Sequence, residues 1–287
     1  MNLIDFILNL AGLLLWFNWR SVSMDPLARA TPATLVGTVR RAQPSRIKRW
    51  HLLAFLGGLI LVRAFFYGQL GPSVNWTPKL DLSLAVLAFP LSHRGGMFFL
   101  SALLFSLLSF LRLLAIVYFW MLILEVINSR ATRPDPIQKL ISQQLGRVAR
   151  WPSSAQLVLP VGALALAWVA LHPLLVATGA ANVVRSNLLF AGQSLLVGLS
   201  IFLSLKFLLP AILFAHLVAS YVYLGNNPLW DFISTTARHL LGPLPLRFGK
   251  VDLSPVVGIV LALLLLHALP GWLVSWLSRT HPEILPQ

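Results

Sequence analysis

The chain has 287 residues, of which 57% are apolar and only 10% charged. A soluble domain carries about 45–50% apolar and about 25% charged residues, so this composition excludes an ordinary water-covered surface. The absence of cysteine excludes disulfides, thiol nucleophiles, iron–sulfur clusters and cysteine zinc sites.

Crossing about 30 Å of hydrocarbon takes about 20 helical residues. The first apolar run, 3–19, is somewhat shorter and ends on Trp16, Phe17 and Trp19, residues suited to a membrane interface. It has no basic leader, holds Asp5, and lacks a small-residue cleavage site. It therefore reads as a transmembrane helix rather than a signal peptide. The runs 52–71, 97–127, 156–178, 187–224 and 253–278 all reach spanning length. Two are too long for one simple crossing, at about 46 Å and about 57 Å for 1.5 Å per residue. Each is expected to tilt or to continue as an interfacial or re-entrant segment. Pro210 is a candidate break in the longer one. Residues 80–91 are apolar but short, and read as an outer interfacial segment within a linker, 79–96.

The net charge of +14 invites a nucleic-acid reading, but its distribution points to lipid. Most of the 22 Lys and Arg residues lie after the first, third and fifth runs. Loops rich in Lys and Arg stay in the cytoplasm. The alternation predicts an integral, multi-pass, all-α membrane protein. It has about six spans in three hairpins, with both termini outside the cytoplasm. The basic run containing Arg40, Arg41, Arg46, Lys48 and Arg49 is a topogenic signal. It also suits anionic lipid, at about 1 kcal/mol per basic side chain. Stacking aromatics are not interleaved with it, so no nucleic-acid partner is expected.

The three basic loops open alike, on Asp25-Pro26-Leu27, Asp135-Pro136-Ile137 and Asn227-Pro228-Leu229. Asp or Asn caps free N–H groups, and Pro fits the first helical position. In the second copy Ile137, Leu140, Ile141, Leu145 and Val148 follow at helical spacing with basic residues between them, which is the pattern of a helix lying among headgroups. The later runs also match. Pro160 and Pro255 precede His172 and His267 by 12 positions, and Arg63 follows His51 by the same interval. The repeats run over about 1–78, 97–178 and 187–280, within a single membrane domain covering 1–287.

The third copy resembles the YggT family, also called YlmG in other bacteria and in plastids. The matching residues are Asn227-Pro228, Pro245, Arg247 and Asp252-Leu253-Ser254-Pro255. The helix at 110–129 is similar to that family's first helix. Members carry one or two such units; three are expected here. The resemblance implies an integral protein of the cell envelope or the plastid, and the bacterial inner membrane is the expected location. It also implies links to membrane-protein assembly, morphology and osmotic tolerance, but brings no agreed reaction or substrate.

Within the spans the basic residues are Arg63, Arg112 and Lys206, and the acidic one is Asp5. These four, with His172 and His267, lie about 18–26 Å from the cytoplasmic helix ends at 1.5 Å per residue. They form a belt in the outer half of the bilayer. Its basic side chains either snorkel to the outer headgroups or bind an anionic group, a lipid head or a partner helix. Asp5 and Arg63 match in depth and are predicted to pair. His172 and His267 match too, as axial haem ligands would, but a lone helical histidine more often makes one hydrogen bond, and no cofactor or metal is expected. No HExxH, GxSxG, P-loop or GxGxxG motif is present, so no enzyme is expected. The leading expectation is an assembly or scaffold factor, or an accessory subunit, whose partners are the bilayer, anionic lipids and other integral membrane proteins. The alternative is a small-solute or ion channel or transporter.

Overall fold

The computed structural model describes residues 3–24, 49–73, 77–82, 84, 86–89, 98–129, 135–184, 186–222, 225, 227–242, 247–248, 251–268, 271–272 and 275. Asp25, Pro26, Arg40, Arg41, Arg46 and Lys48 lie outside the described residues, as do the side chains of Arg49, Arg247, Asp252 and His267. Contacts divide the chain into two compact units. The first holds Met1–Pro78 and Phe89–Leu114, the second Lys79–Ala88 and Ala115–Gln287.

In the first unit, α1 (Leu3–Met24) packs along α2 (Arg49–Ser73). The unit also takes the first half of α3 (Phe98–Asn128), a single 31-residue helix. Ala64 of α2 and Ala102 of α3 cluster with no exposed surface. Such small residues let helix backbones approach closely.

The second unit begins with β1 (Lys79–Asp81) and β2 (Val86–Ala88), antiparallel and in register at Leu80 and Leu87. The segment read as interfacial is thus a hairpin, and its alternation buries Leu80 and Leu87. A second ribbon joins β3 (Arg247–Phe248) to β4 (Val251–Asp252), with Arg247 opposite Asp252. These two short ribbons are additions to a fold that is otherwise helical among the described residues. The run from Leu80 alternates at a strand's period of two, and a two-residue connection suffices for the second.

After the second half of α3 comes α4 (Pro136–Leu145), then a 3-10 turn (Gly146–Arg150) and α5 (Ser153–Ala177). The long run 187–224 forms α6 (Asn187–Leu199), a 3-10 segment (Ser200–Ser204) and α7 (Leu205–Tyr221). The helix continues through Pro210, so the interruption lies upstream of the residue expected to cause it. Ser200 and Ser204 donate to the carbonyls of Val197 and Ile201, three residues back. Trp120 Nε1 donates to Ser204 Oγ at 3.1 Å. α6 packs on α5, whereas α7 packs on α8 (Pro228–Leu241) and α9 (Ser254–Leu263), which runs into a π turn (Leu264–Ala268).

The loop motifs meet different fates. Asn227 caps α8, its Oδ1 accepting from Leu229 N at 3.1 Å, with Pro228 in the first turn. Asp135 precedes α4, with Pro136 in the first turn, but its side chain makes no cap. Asp252 lies in β4, Leu253 holds the N-cap position of α9, and Ser254 and Pro255 open the helix. Pro160 sits inside α5 while Pro255 is in the first turn of α9, so the matched prolines occupy different places.

One polar node ties α3 to α4 and α8. Asn128 Nδ2 donates to Thr236 Oγ1 at 2.8 Å and to Leu124 O at 3.1 Å. Its Oδ1 lies 3.1 Å from His239 Nδ1, which must then be the donor. Gln138 Nε2 reaches Asn128 O at 3.1 Å. Asn128→Ala should leave His239 Nδ1 without its acceptor and Thr236, which keeps its bond to Phe232 O, without its donor, and cost about 1–3 kcal/mol. Faster proteolysis of α8 in the variant would register the loss, and an unchanged rate would deny the node its role.

Candidate functional site

Charged side chains within an apolar helix are costly and so mark function or a specific pairing. In the first unit, three helices each contribute two residues four positions apart, the spacing that places side chains on one face. α1 gives Asp5 and Asn9, α2 gives Arg63 and Tyr67, and α3 gives Phe105 and Ser109. Asp5 is 4% exposed, Arg63 5%, Asn9 1% and Ser109 2%.

Arg63 is at the centre. Its Nη2 donates to Asp5 Oδ1 at 2.8 Å and to Ser109 Oγ at 3.2 Å, and its Nη1 to Asn9 Oδ1 at 2.6 Å. Asn9 Nδ2 donates to Ser109 Oγ at 2.8 Å. The Tyr67 hydroxyl donates to Asp5 Oδ1. Arg63 Cζ lies 5.3 Å from the Tyr67 ring centroid and 5.4 Å from that of Phe105. The cation is held by a carboxylate, two neutral oxygens and two π faces. Only Nε lacks a partner among the described residues.

The expected Asp5–Arg63 pair is therefore present, and Arg63 does not snorkel. A buried charge pair is tolerable only when its remaining polar valences are met, and Asn9, Tyr67 and Ser109 meet them. Tyr67→Phe should cost about 1.5–3 kcal/mol, the range for a hydrogen bond to a charged group. Its melting temperature in detergent checks this; no change would mean that Asp5 needs no second donor.

Of the other members of the proposed belt, the side chain of His267 lies outside the described residues. Arg112 is half-buried on α3. Lys206 is half-buried, its Nζ 5.2 Å from the Phe207 ring centroid. The His172 ring lies 4.8 Å from that of Phe190 and 5.9 Å from that of Trp168. Sequence reading missed Asn9, Tyr67 and Ser109, although the four-residue offsets from Asp5 and Arg63 point to the first two. It also missed Glu125, an acidic residue within the apolar stretch Phe99–Asn128.

Among the described residues, five helices are long and apolar enough to cross a membrane: Leu3–Ser21, Trp50–Gly71, Phe99–Asn128, Ser153–Ala177 and Asn187–Tyr221. A shorter apolar helix covers Ser254–Leu266. With large apolar side chains exposed along them, the class is a helical protein compatible with several membrane crossings. No family model, curated protein or solved structure matches this chain.

Proposed function

We propose that the chain is a YggT-like, non-enzymatic scaffold of the bacterial inner membrane, an assembly factor or an accessory subunit that holds other membrane proteins through its helices. The shorter helix at Ser254–Leu266 completes a sixth span, and both termini face away from the cytoplasm. The observation that carries this reading is the closure of the Asp5–Arg63 cluster upon itself. Its hydrogen bonds run between three helices and leave only the Nε of Arg63 without a partner among the described residues, where a transport site would turn convergent polar groups toward a solute. Exposed Leu14, Phe55, Phe66, Leu166 and Phe214 leave the helix faces open to lipid or partner helices.

The chain lacks cysteine, so single introduced thiols report sidedness without background. Ser45→Cys and Gln143→Cys should label from the cytoplasm and Ser92→Cys from the outside. Labelling of Ser45→Cys and Gln143→Cys from opposite sides would overturn the three-hairpin layout. Purification in mild detergent should recover companion membrane proteins; a monodisperse, companion-free protein counts against the scaffold.

One observation favours the alternative of a channel or transporter. The Asn187–Tyr221 helix is interrupted at Ser200–Ser204 beside buried Gln193 and Ser194, and discontinuous helices build many transport sites. Vesicles containing the protein that swell in permeant osmolytes faster than empty vesicles would support it.

A further inference from the structure

In the second unit, the end of α3, the α4 helix and the following 3-10 turn surround a cleft of about 690 Å³. It is lined by Glu125 together with Lys139, Arg147 and Arg150, with Ser142 and Gln143 between them. Glu125 Oε2 is buried and has no hydrogen-bond partner. Among the described residues, none of the four charged side chains makes an ion pair. The cleft thus holds one carboxylate and three cations that share its walls without meeting.

One oxygen of this half-buried carboxylate is thus shut off from water without compensation, which is costly. Its compensation lies close by and yet does not reach it. A ligand carrying both signs would satisfy both sides of the cleft at once. A purely anionic ligand would pair with the cations and leave Glu125 opposed to it. We propose that this cleft binds the phosphoethanolamine headgroup of a phospholipid. The ammonium donates to Glu125, and the phosphate accepts from Lys139, Arg147 and Arg150.

The surroundings favour a lipid over a soluble compound. Trp151 immediately follows the 3-10 turn and is 48% exposed, and Leu140 of α4 is 59% exposed. An exposed tryptophan beside basic side chains is typical of the headgroup level. The apolar helix α5 starts at Ser153, and Glu125 lies within the last turn of α3, so the cleft sits where two candidate spans end. The assignment rests on the membrane reading above.

The test uses the full purified chain in detergent, with phosphatidylethanolamine, phosphatidylcholine or phosphatidylglycerol added to the micelles. Lipid retention in native mass spectra and the thermal shift are the readouts. Phosphatidylethanolamine should bind best, because methylation in phosphatidylcholine removes the N–H donors. Glu125→Gln should weaken it about tenfold, as for one charge-assisted hydrogen bond, and should abolish its advantage over phosphatidylcholine. Arg147→Gln, at an exposed position, should weaken all three lipids. Equal or tighter binding of phosphatidylglycerol, or selectivity that survives Glu125→Gln, overturns the proposal. Should Glu125→Gln not fold, the ranking on the unaltered chain and Arg147→Gln decide. Free O-phosphoethanolamine giving the same shift at equal concentration would overturn the lipid assignment. A chain that stays monodisperse without detergent would instead defeat the membrane reading.

Discussion

Asp5→Asn should reduce the yield of folded, membrane-inserted protein more than Arg63→Gln does. Both substitutions break the same 2.8 Å contact, but what they leave behind differs. A carboxyl can shed its charge by binding a proton, whereas a guanidinium is not deprotonated in proteins. Asp5→Asn therefore leaves an obligatory buried cation, and the loss should approach the about 3–5 kcal/mol typical of a broken buried pair. Arg63→Gln leaves a group that can become neutral and keep its Tyr67 donor, so about 1–3 kcal/mol is expected. The double variant should lie closer to the parent than Asp5→Asn alone, because removing both partners removes the uncompensated charge. Melting temperatures in detergent and inserted levels measure all three. Additive losses in the double variant would show that the two residues are not coupled.

The second large effect is expected at Gly198, where α6 meets α5. A Cβ there would lie 2.5 Å from the carbonyl oxygen of Val161 and 3.1 Å from its Cγ1. A backbone oxygen cannot rotate away, so Gly198→Ala has to separate the helices, at about 1–3 kcal/mol or more. Gly258 provides the contrast. Its Cβ would meet Leu241 Cδ2 at 2.9 Å and Leu213 Cδ1 at 3.1 Å. Those are ends of flexible side chains, and Gly258→Ala should cost well under the loss at Gly198. At Gly162 nothing lies within 4 Å, and alanine should stabilise the helix by about 0.5–1 kcal/mol. The three variants should therefore melt in the order Gly198, Gly258, Gly162. A Gly198→Ala protein as stable as its parent would mean that α5 and α6 do not approach so closely.

Much of the helical content was legible, because hydrophobic length is a coarse signal that local detail does not disturb. The Asp5–Arg63 pair was legible for a similar reason. Two opposite charges at like depth in a medium without water have strong cause to meet. The rest of the cluster was harder to see. Asn9 and Tyr67 stand four residues from the ion pair, but they gain meaning only once both helices are known to turn that face inward. Ser109 comes from a third helix whose register against the others is set by packing of Ala64 and Ala102, which composition does not reveal. The ribbon that sets Asp252 across from Arg247 was not legible either, because strands of two residues leave no periodic pattern. Glu125 was hidden by the apolar residues around it, and its interest arises from α4 and the 3-10 turn folding beside it.

The five residues Ser200–Ser204 also set an angle. A 3-10 turn advances about 120° per residue against about 100° in an α-helix, so five residues add roughly 100° of extra rotation. The side of the rod that meets α5 before this segment is consequently about a quarter-turn away from where an unbroken helix would carry it afterwards. One continuous stretch of chain can thus serve two sets of neighbours lying in different directions, with α5 beside its first part and α8 and α9 beside its last.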